Sequence, residues 1–368
     1  MHPHPNQDVL LSTRKGLFRL RDGQLDLLGF LGVQVSNAVR DPRDGRIHAA
    51  LDHGHFGCKL QYSDDDGATW VETDAPAYPQ PTNGEVHVDP VRGEPVEWST
   101  KLIWTIEPGH ASRPGELWCG TIPGGMFRST DRGETWSLVE SLWDHPTRSQ
   151  WFGGGFDDPG LHSISLHPSD PDTLAVGLSA GGVWVTRDGT RSWAPATGMN
   201  APYTPPEEAG NPAMQDPHRI ARCPAAPEVA WVQHHGGMYR STDGCSSWTE
   251  ITGVDPSTFG FAVAAHPTDP DTAWFVPAAS DEVRVPVDGR VVVTRTRDGG
   301  ATFEQLTDGL PQHNAWHLVY RHGLDVDASG EQLVLGSTSG GVWTSIDGGD
   351  HWTEVTNDLP PVLAVRFT

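Results

Sequence analysis

Short apolar runs opened by glycine recur along the chain. Gly125-Met126-Phe127-Arg128-Ser129, Gly182-Val183-Trp184-Val185-Thr186, Gly237-Met238-Tyr239-Arg240-Ser241 and Gly341-Val342-Trp343-Thr344-Ser345 alternate aromatic or β-branched residues with others. Alternation over so few residues predicts strands. Each run leads into a polar octapeptide, Ser-x-Asp-x-Gly-x-Thr-Trp, complete at residues 63–70 and 129–136. Residues 296–303 keep all but the Trp, and residues 345–352 lose only the Thr. Residues 186–193 and 241–248 carry Thr190 and Cys245 where Gly is expected. The central residues of the six copies are Asp65, Asp131, Asp188, Asp243, Asp298 and Asp347, in steps of 66, 57, 55, 55 and 49. A sustained long period means a repeat architecture.

A second strand pair precedes each glycine run. Residues 161–168 pass through Asp170-Pro171 into 173–177, and residues 261–267 pass through Asp269-Pro270 into 272–276. Asp-Pro pairs are turn chemistry. Each unit therefore reads as strand A, turn, strand B, loop, strand C, octapeptide turn, strand D. Four antiparallel strands per unit describe a propeller blade. Residues 361–368 read as a strand A with no successors, and residues 8–20 as strands B and C with no predecessor. The C-terminal strand is thus expected to complete the N-terminal blade. The prediction is an all-β, seven-bladed β-propeller spanning residues 1–368 as one domain. Six blades follow if the N-terminal unit is something else, and eight if residues 71–101 hide another.

The octapeptides resemble the Asp-box (BNR) repeats of sialidases, sortilin-type receptors, xyloglucanases and the photosystem II assembly factor family. The opening Leu11-Ser12-Thr13-Arg14-Lys15-Gly16-Leu17-Phe18 is similar to the start of bacterial WD40/YVTN/BNR-like repeat proteins. The resemblance covers the whole chain and implies the propeller fold. For function it implies either a glycosidase or a non-catalytic assembly scaffold, because one scaffold carries many chemistries. The Arg-Ile-Pro motif of true sialidases is absent, and Tyr is scarce at five copies. The Asp boxes themselves read as structural, with Asp accepting turn hydrogen bonds and Gly supplying a positive φ.

Composition narrows the partners. The net charge is −23 with three Lys, which repels phosphate backbones and argues against nucleic acid. No long apolar run predicts a membrane span. The start, Met1-His2-Pro3-His4-Pro5-Asn6, has no basic stretch followed by an apolar one, so a cytoplasmic protein is expected. The scattered Cys58, Cys119, Cys223 and Cys245 suit reduced thiols. A ring without free edges predicts a monomer.

Candidate chemistry concentrates opposite the Asp boxes. On that face the D–A loops of residues 70–102, 136–162 and 193–218 are about twice as long as their counterparts, and long loops in compact domains are usually functional. Aligning strand A by the Pro or Gly six residues on puts His162, His218 and His317 in one register, where other blades have Ser36, Leu102 and Phe261. Three converging imidazoles are ligands for a divalent transition metal: Zn, Mn, Fe, Ni or Cu. Asp157, Asp158, Asp216, Glu85 and His234 are candidates to orient an imidazole or move a proton. Trp151, Phe152 and Phe156 could stack on a substrate, with Arg219, His53, His55 and His235 as polar contacts. The reading is a metal-dependent hydrolase, lyase or oxidase acting on a small polar, carbohydrate-like molecule. The alternatives are a metal-free glycoside hydrolase and a non-catalytic scaffold.

Overall fold

The computed structural model describes residues 8–80, 86–153 and 156–368. Among them, seven four-stranded antiparallel sheets follow one another as the blades of a propeller. The innermost strands are Val362–Phe367 in blade 1, Gln34–Arg40 in blade 2 and Leu102–Pro108 in blade 3. Gly160–Leu166, Pro217–Arg222, Gly260–Ala265 and Leu324–Val326 serve blades 4 to 7. The ring closes as the chain pattern predicts. The C-terminal strand pairs with Val9–Thr13, with Phe367 opposite Val9 and Val365 opposite Leu11. Residues 71–101 add only a two-residue ribbon of His87–Val88 with Pro95–Val96, not a blade.

The octapeptide is a self-contained turn. Asp131 Oδ1 accepts the Ser129 hydroxyl at 2.7 Å and the Thr135 N–H at 3.0 Å, and Oδ2 accepts the Thr135 hydroxyl at 2.6 Å. Ser63, Asp65 and Thr69 repeat these contacts. The turn needs two successive left-handed residues, here Arg132 at φ 63° and Gly133 at φ 82°. Thr190 and Cys245 take the same conformation at 70° and 73° without being glycine. The strain of about 1–2 kcal/mol each is outweighed by the hydrogen bonds of the turn. Between the sheets, Trp118, Trp184, Trp231, Trp274 and Trp343 are almost completely buried. Burial of such large aromatic surfaces is the main adhesive between blades.

One irregularity is common to the blades. Near its start, strand A carries an unpaired residue opposite strand B: Leu363, Ser36, Trp104, His162, His218 and Phe261 lie within the register shifts of blades 1 to 6. In blade 7 the matching residue is His322, next to Gly323, whose carbonyl accepts the Gly336 N–H at 2.8 Å. Such bulges re-aim side chains at the rim of a ring. This corrects two expected positions. Trp104, not Leu102, is the bulge residue of blade 3, and His322, not His317, is that of blade 7. The Gly following His317 marks no strand register, because residues 317–321 are irregular and strand A of blade 7 starts later.

Deeper along the inner strands, four charged side chains from blades 1, 3, 5 and 7 interact: Arg366, Glu107, Arg219 and Asp325. Arg366 Nη1 donates to Glu107 Oε1 at 2.8 Å, and Asp325 Oδ2 accepts the Phe367 N–H at 2.9 Å. Arg219 is therefore part of an ionic layer inside the ring rather than a contact at its mouth. No helix among the described residues is long and apolar enough to cross a membrane.

Candidate functional site

Six of the seven bulge residues line one cavity of about 460 Å³ at the mouth of the ring, and His162 is the exception. Its other walls come from the loops between blades: Phe152 and Phe156 before blade 4, Tyr203 and Asp216 before blade 5, Asp281 and Arg284 within blade 6, and Tyr320 and Arg321 before blade 7. The aromatic members are in contact. Trp104 meets Phe156 edge-on with ring centres 5.4 Å apart, and His218 stacks on Phe261 at 4.5 Å.

The cavity's chemistry centres on Asp216, which immediately precedes strand A of blade 5. Its Oδ1 accepts the Ser179 hydroxyl at 3.1 Å and the Ala180 N–H at 3.0 Å from the neighbouring blade. Its Oδ2 faces His218 Nε2 at 3.6 Å and His235 Nδ1 at 3.3 Å. Burial alone would raise the Asp216 pKa, but His218 and His235, when they present a proton to it, and the charge of Arg321 hold it well below the usual carboxylate range. His218 is pushed down by burial. Its Nδ1 donates to the Gly260 carbonyl at 2.6 Å, so neutral His218 points a bare Nε2 at the Asp216 carboxylate. Two lone-pair atoms facing each other in a buried site call for a proton or a cation between them.

Asp216, His218 and His235 form the one group of three or more ligating side chains, among the described residues, with donor atoms all within 4.8 Å of one another. Metal–ligand bonds of about 2.1 Å at roughly tetrahedral or octahedral angles place donor atoms about 3.0–3.4 Å apart. The two Asp216–imidazole separations, 3.3 and 3.6 Å, are close to that spacing, and the whole set lies within 4.8 Å. Each donor is also braced from behind, as metal ligands commonly are. Gly260 holds His218, Asp281 Oδ2 lies 3.4 Å from His235 Nε2, and Ser179 and Ala180 hold Asp216. Two imidazoles and one carboxylate are a donor set that would suit a divalent transition metal.

No protein-family model matches the chain. A probable oligoxyloglucan-reducing end-specific xyloglucanase of Neosartorya fischeri is 25% identical over 228 residues, 53% of this chain and 26% of that protein. A xyloglucanase of a Paenibacillus species is 25% identical over 269 residues, 67% of this chain and 25% of that protein. The chain thus spans about a quarter of the length of the curated relatives it matches. The crystal structure of a GH74 xyloglucanase from Xanthomonas campestris aligns with a TM-score of 0.65 at 19% identity, over 96% of this chain and 53% of that one. YCF48 bound to D1 peptide aligns at 0.52 with 13% identity, over 96% and 86%. The likeness to these solved structures is one of fold.

The residues singled out by the sequence divide sharply. Asp216, His218, His235, Phe152 and Phe156 meet at the cavity. His162 and His317 do not join them. His162 is fully buried, with Nε2 donating to the Pro217 carbonyl at 2.8 Å, and His317 Nδ1 meets Ser339 Oγ at 2.7 Å. Of the proton-moving candidates, His234 is also enclosed, its ring nitrogens facing the N–H groups of Asp216 and Gly236, and burial takes it down to about 3. It positions the Asp216 main chain rather than facing the cavity. Asp157, Asp158 and Trp151 line a separate cavity of about 230 Å³, where Asp158 Oδ1 pairs with Arg92 at 3.0 Å. Trp151 is completely buried against Trp184, out of reach of a ligand in the larger cavity. His53 caps and His55 lies within a single 3-10 turn at Gly54–Phe56, away from the cavity walls. Glu85 lies outside the described residues. Trp104, Tyr203, Asp281, Arg284, Arg321 and His322 were not anticipated. A signal existed for Asp281 and Arg284, because the B–C connection of blade 6, between Pro277 and Val293, is long.

Proposed function

We propose that the chain is a metal-dependent enzyme of hydrolase type whose centre is Asp216, His218 and His235, acting on a small polar, carbohydrate-class substrate. One observation carries the reading: three donor atoms converge beside an open cavity, each backed by its own fixed partner. The depressed pKa values of Asp216 and His218 keep both in the deprotonated state that ligation requires. A bound Zn, Mn, Fe, Ni or Cu ion would polarise a substrate oxygen or activate water. Asp281 on the far nitrogen of His235 would fix that ring's tautomer. Trp104, Phe156 and Phe261 offer apolar faces to sugar rings, and Gln34 and Ser36 offer hydrogen bonds.

A second reading has its own support. Asp216 and Asp281 stand on opposite nitrogens of His235, so two carboxylates lie one imidazole apart in the same cavity. A carboxylate pair is what a metal-free glycoside hydrolase needs, and xyloglucanases are among the similar proteins. Chelation separates the readings. For a metal centre, treating tag-free protein with a chelator lowers the thermal midpoint, and one divalent metal restores it, because a ligand bound only by the folded state stabilises it. An unchanged midpoint and no stoichiometric metal would favour the carboxylate pair.

A further inference from the structure

Three arginines are less than a tenth exposed: Arg46, Arg295 and Arg321. Two of them are paired. Arg46 holds Asp64 at 2.7 Å, and Arg295 holds both Glu304 and Asp350 at 2.7 Å. Arg321 has no carboxylate within 4.0 Å among the described residues. Its Nε is enclosed without a hydrogen-bond partner, and its Nη2 makes a single long contact to Ser179 Oγ at 3.4 Å. The guanidinium lies 4.8 Å from the ring centre of Trp104 and 5.5 Å from that of Phe261, so aromatic walls hold it at the cavity. Asp216 attracts it only from beyond 4.0 Å, and a buried charge without a direct ionic contact is costly to keep. Burial lowers its pKa to about 10, which still leaves it a cation at neutral pH.

We propose that Arg321 is the recognition residue for a carboxylate on the substrate, making the ligand an acidic sugar of the uronic or aldonic class. The guanidinium fork matches a carboxylate in shape and can bind it through two parallel hydrogen bonds. The cavity supports this choice of ligand. Three arginines, Arg14, Arg284 and Arg321, oppose two aspartates, Asp216 and Asp281, so the walls carry one excess positive charge in a chain of net charge −23. That excess suits a monoanion, whereas the two aspartates repel a phosphate dianion. The volume of about 460 Å³ is at the small end of ligand pockets and suits one or two sugar rings. The proposal deepens the metal-centre reading by naming its substrate class, and rests on that reading only for which end of the ligand reacts.

The test is calorimetric titration of chelator-treated, tag-free protein with D-glucuronate, D-glucose and inorganic phosphate, repeated on Arg321→Met and Arg321→Lys. The parent should bind glucuronate at least about tenfold more tightly than glucose or phosphate, and Arg321→Met should lose about tenfold or more of that affinity. Arg321→Lys should fall between them, since it keeps the charge and loses the fork. Without ligand, the thermal midpoint of Arg321→Met should stay close to the parent's, because no direct ion pair is broken and the loss of the longer-range attraction to Asp216 is offset by relief of a buried charge. The proposal is overturned if the parent binds none of the probes, if it prefers glucose or phosphate, or if both variants bind glucuronate as the parent does. A lowered midpoint in Arg321→Met, marking a structural cation, also overturns it. Metal content is measured separately on untreated parent, so loss of the metal reading leaves this result standing and the reverse.

Discussion

The two faces of the ring handle carboxylates in opposite ways. On the Asp-box face, Asp65 is satisfied within five residues by Ser63 and Thr69, and those hydrogen bonds lower its pKa to about 2. At the mouth, Asp216 is buried, and beside its near neighbour His218 its partners come from distant segments: Ser179 and Ala180 of blade 4, and the imidazole of His235. The first arrangement repeats because it asks nothing of its neighbours. The second occurs once because it needs two blades and two loops in register. A carboxylate that closes its own turn builds the scaffold, and one left facing two imidazoles beside a cavity is available for chemistry.

This contrast can be broken most severely at Asp216. Asp216→Ala removes one donor and strands the Ala180 N–H, so metal content should fall at least about tenfold and turnover with it. Elemental analysis and an activity assay on the same sample check this, and full metal retention would mean that the cluster is only a hydrogen-bond network. A smaller effect is expected on the other face. Asp131→Ala loses the Ser129 and Thr135 contacts and should cost about 1 kcal/mol in denaturant unfolding, with metal content unchanged. Equal damage to metal binding from both substitutions would erase the distinction between the faces.

The smallest effect is in pH dependence, and it separates buried imidazoles from turn carboxylates. Burial lowers the pKa of His48 to about 4 and pushes His162 and His322 well down. Below about pH 6.5 the unfolded chain takes up protons that these folded imidazoles do not, so their contribution is complete above that pH and is lost as pH falls toward 4. Asp65, Asp188 and Asp298, lowered to about 2 by hydrogen bonds within their turns, lose their contribution only between about pH 4 and 2. Stability measured against pH should therefore decline in two steps. A single decline confined to pH below 4 would show that the buried imidazoles contribute nothing.

The same contrast explains what could be read from the chain. The blades were legible because the octapeptide is a local device: Asp131 and its partners lie within six residues of one another, so spacing counts the repeats. The closing strand was legible because residues 361–368 lack strands to follow. The site was only partly legible. His218 and Asp216 were found because a long loop ends there, and His235 because it adjoins a strand end. His317 was misplaced because a bulge, not a Pro or Gly mark, decides which strand A residue turns to the cavity, and a bulge leaves no pattern in sequence. His162 occupies the right position, yet its ring is consumed by the Pro217 carbonyl. Arg321 was illegible for a different reason: its meaning lies in the carboxylate it lacks, and absence of a partner is a property of three dimensions.

Whether Asp216, His218 and His235 hold a metal is decided by elemental analysis of tag-free parent beside His218→Ala, His235→Ala, His162→Ala and His317→Ala. One equivalent of a divalent transition metal is expected in the parent and in the His162 and His317 variants, and a loss of at least about tenfold in the His218 and His235 variants. No stoichiometric metal in the parent, or a loss on His162→Ala or His317→Ala with retention in His235→Ala, would contradict it.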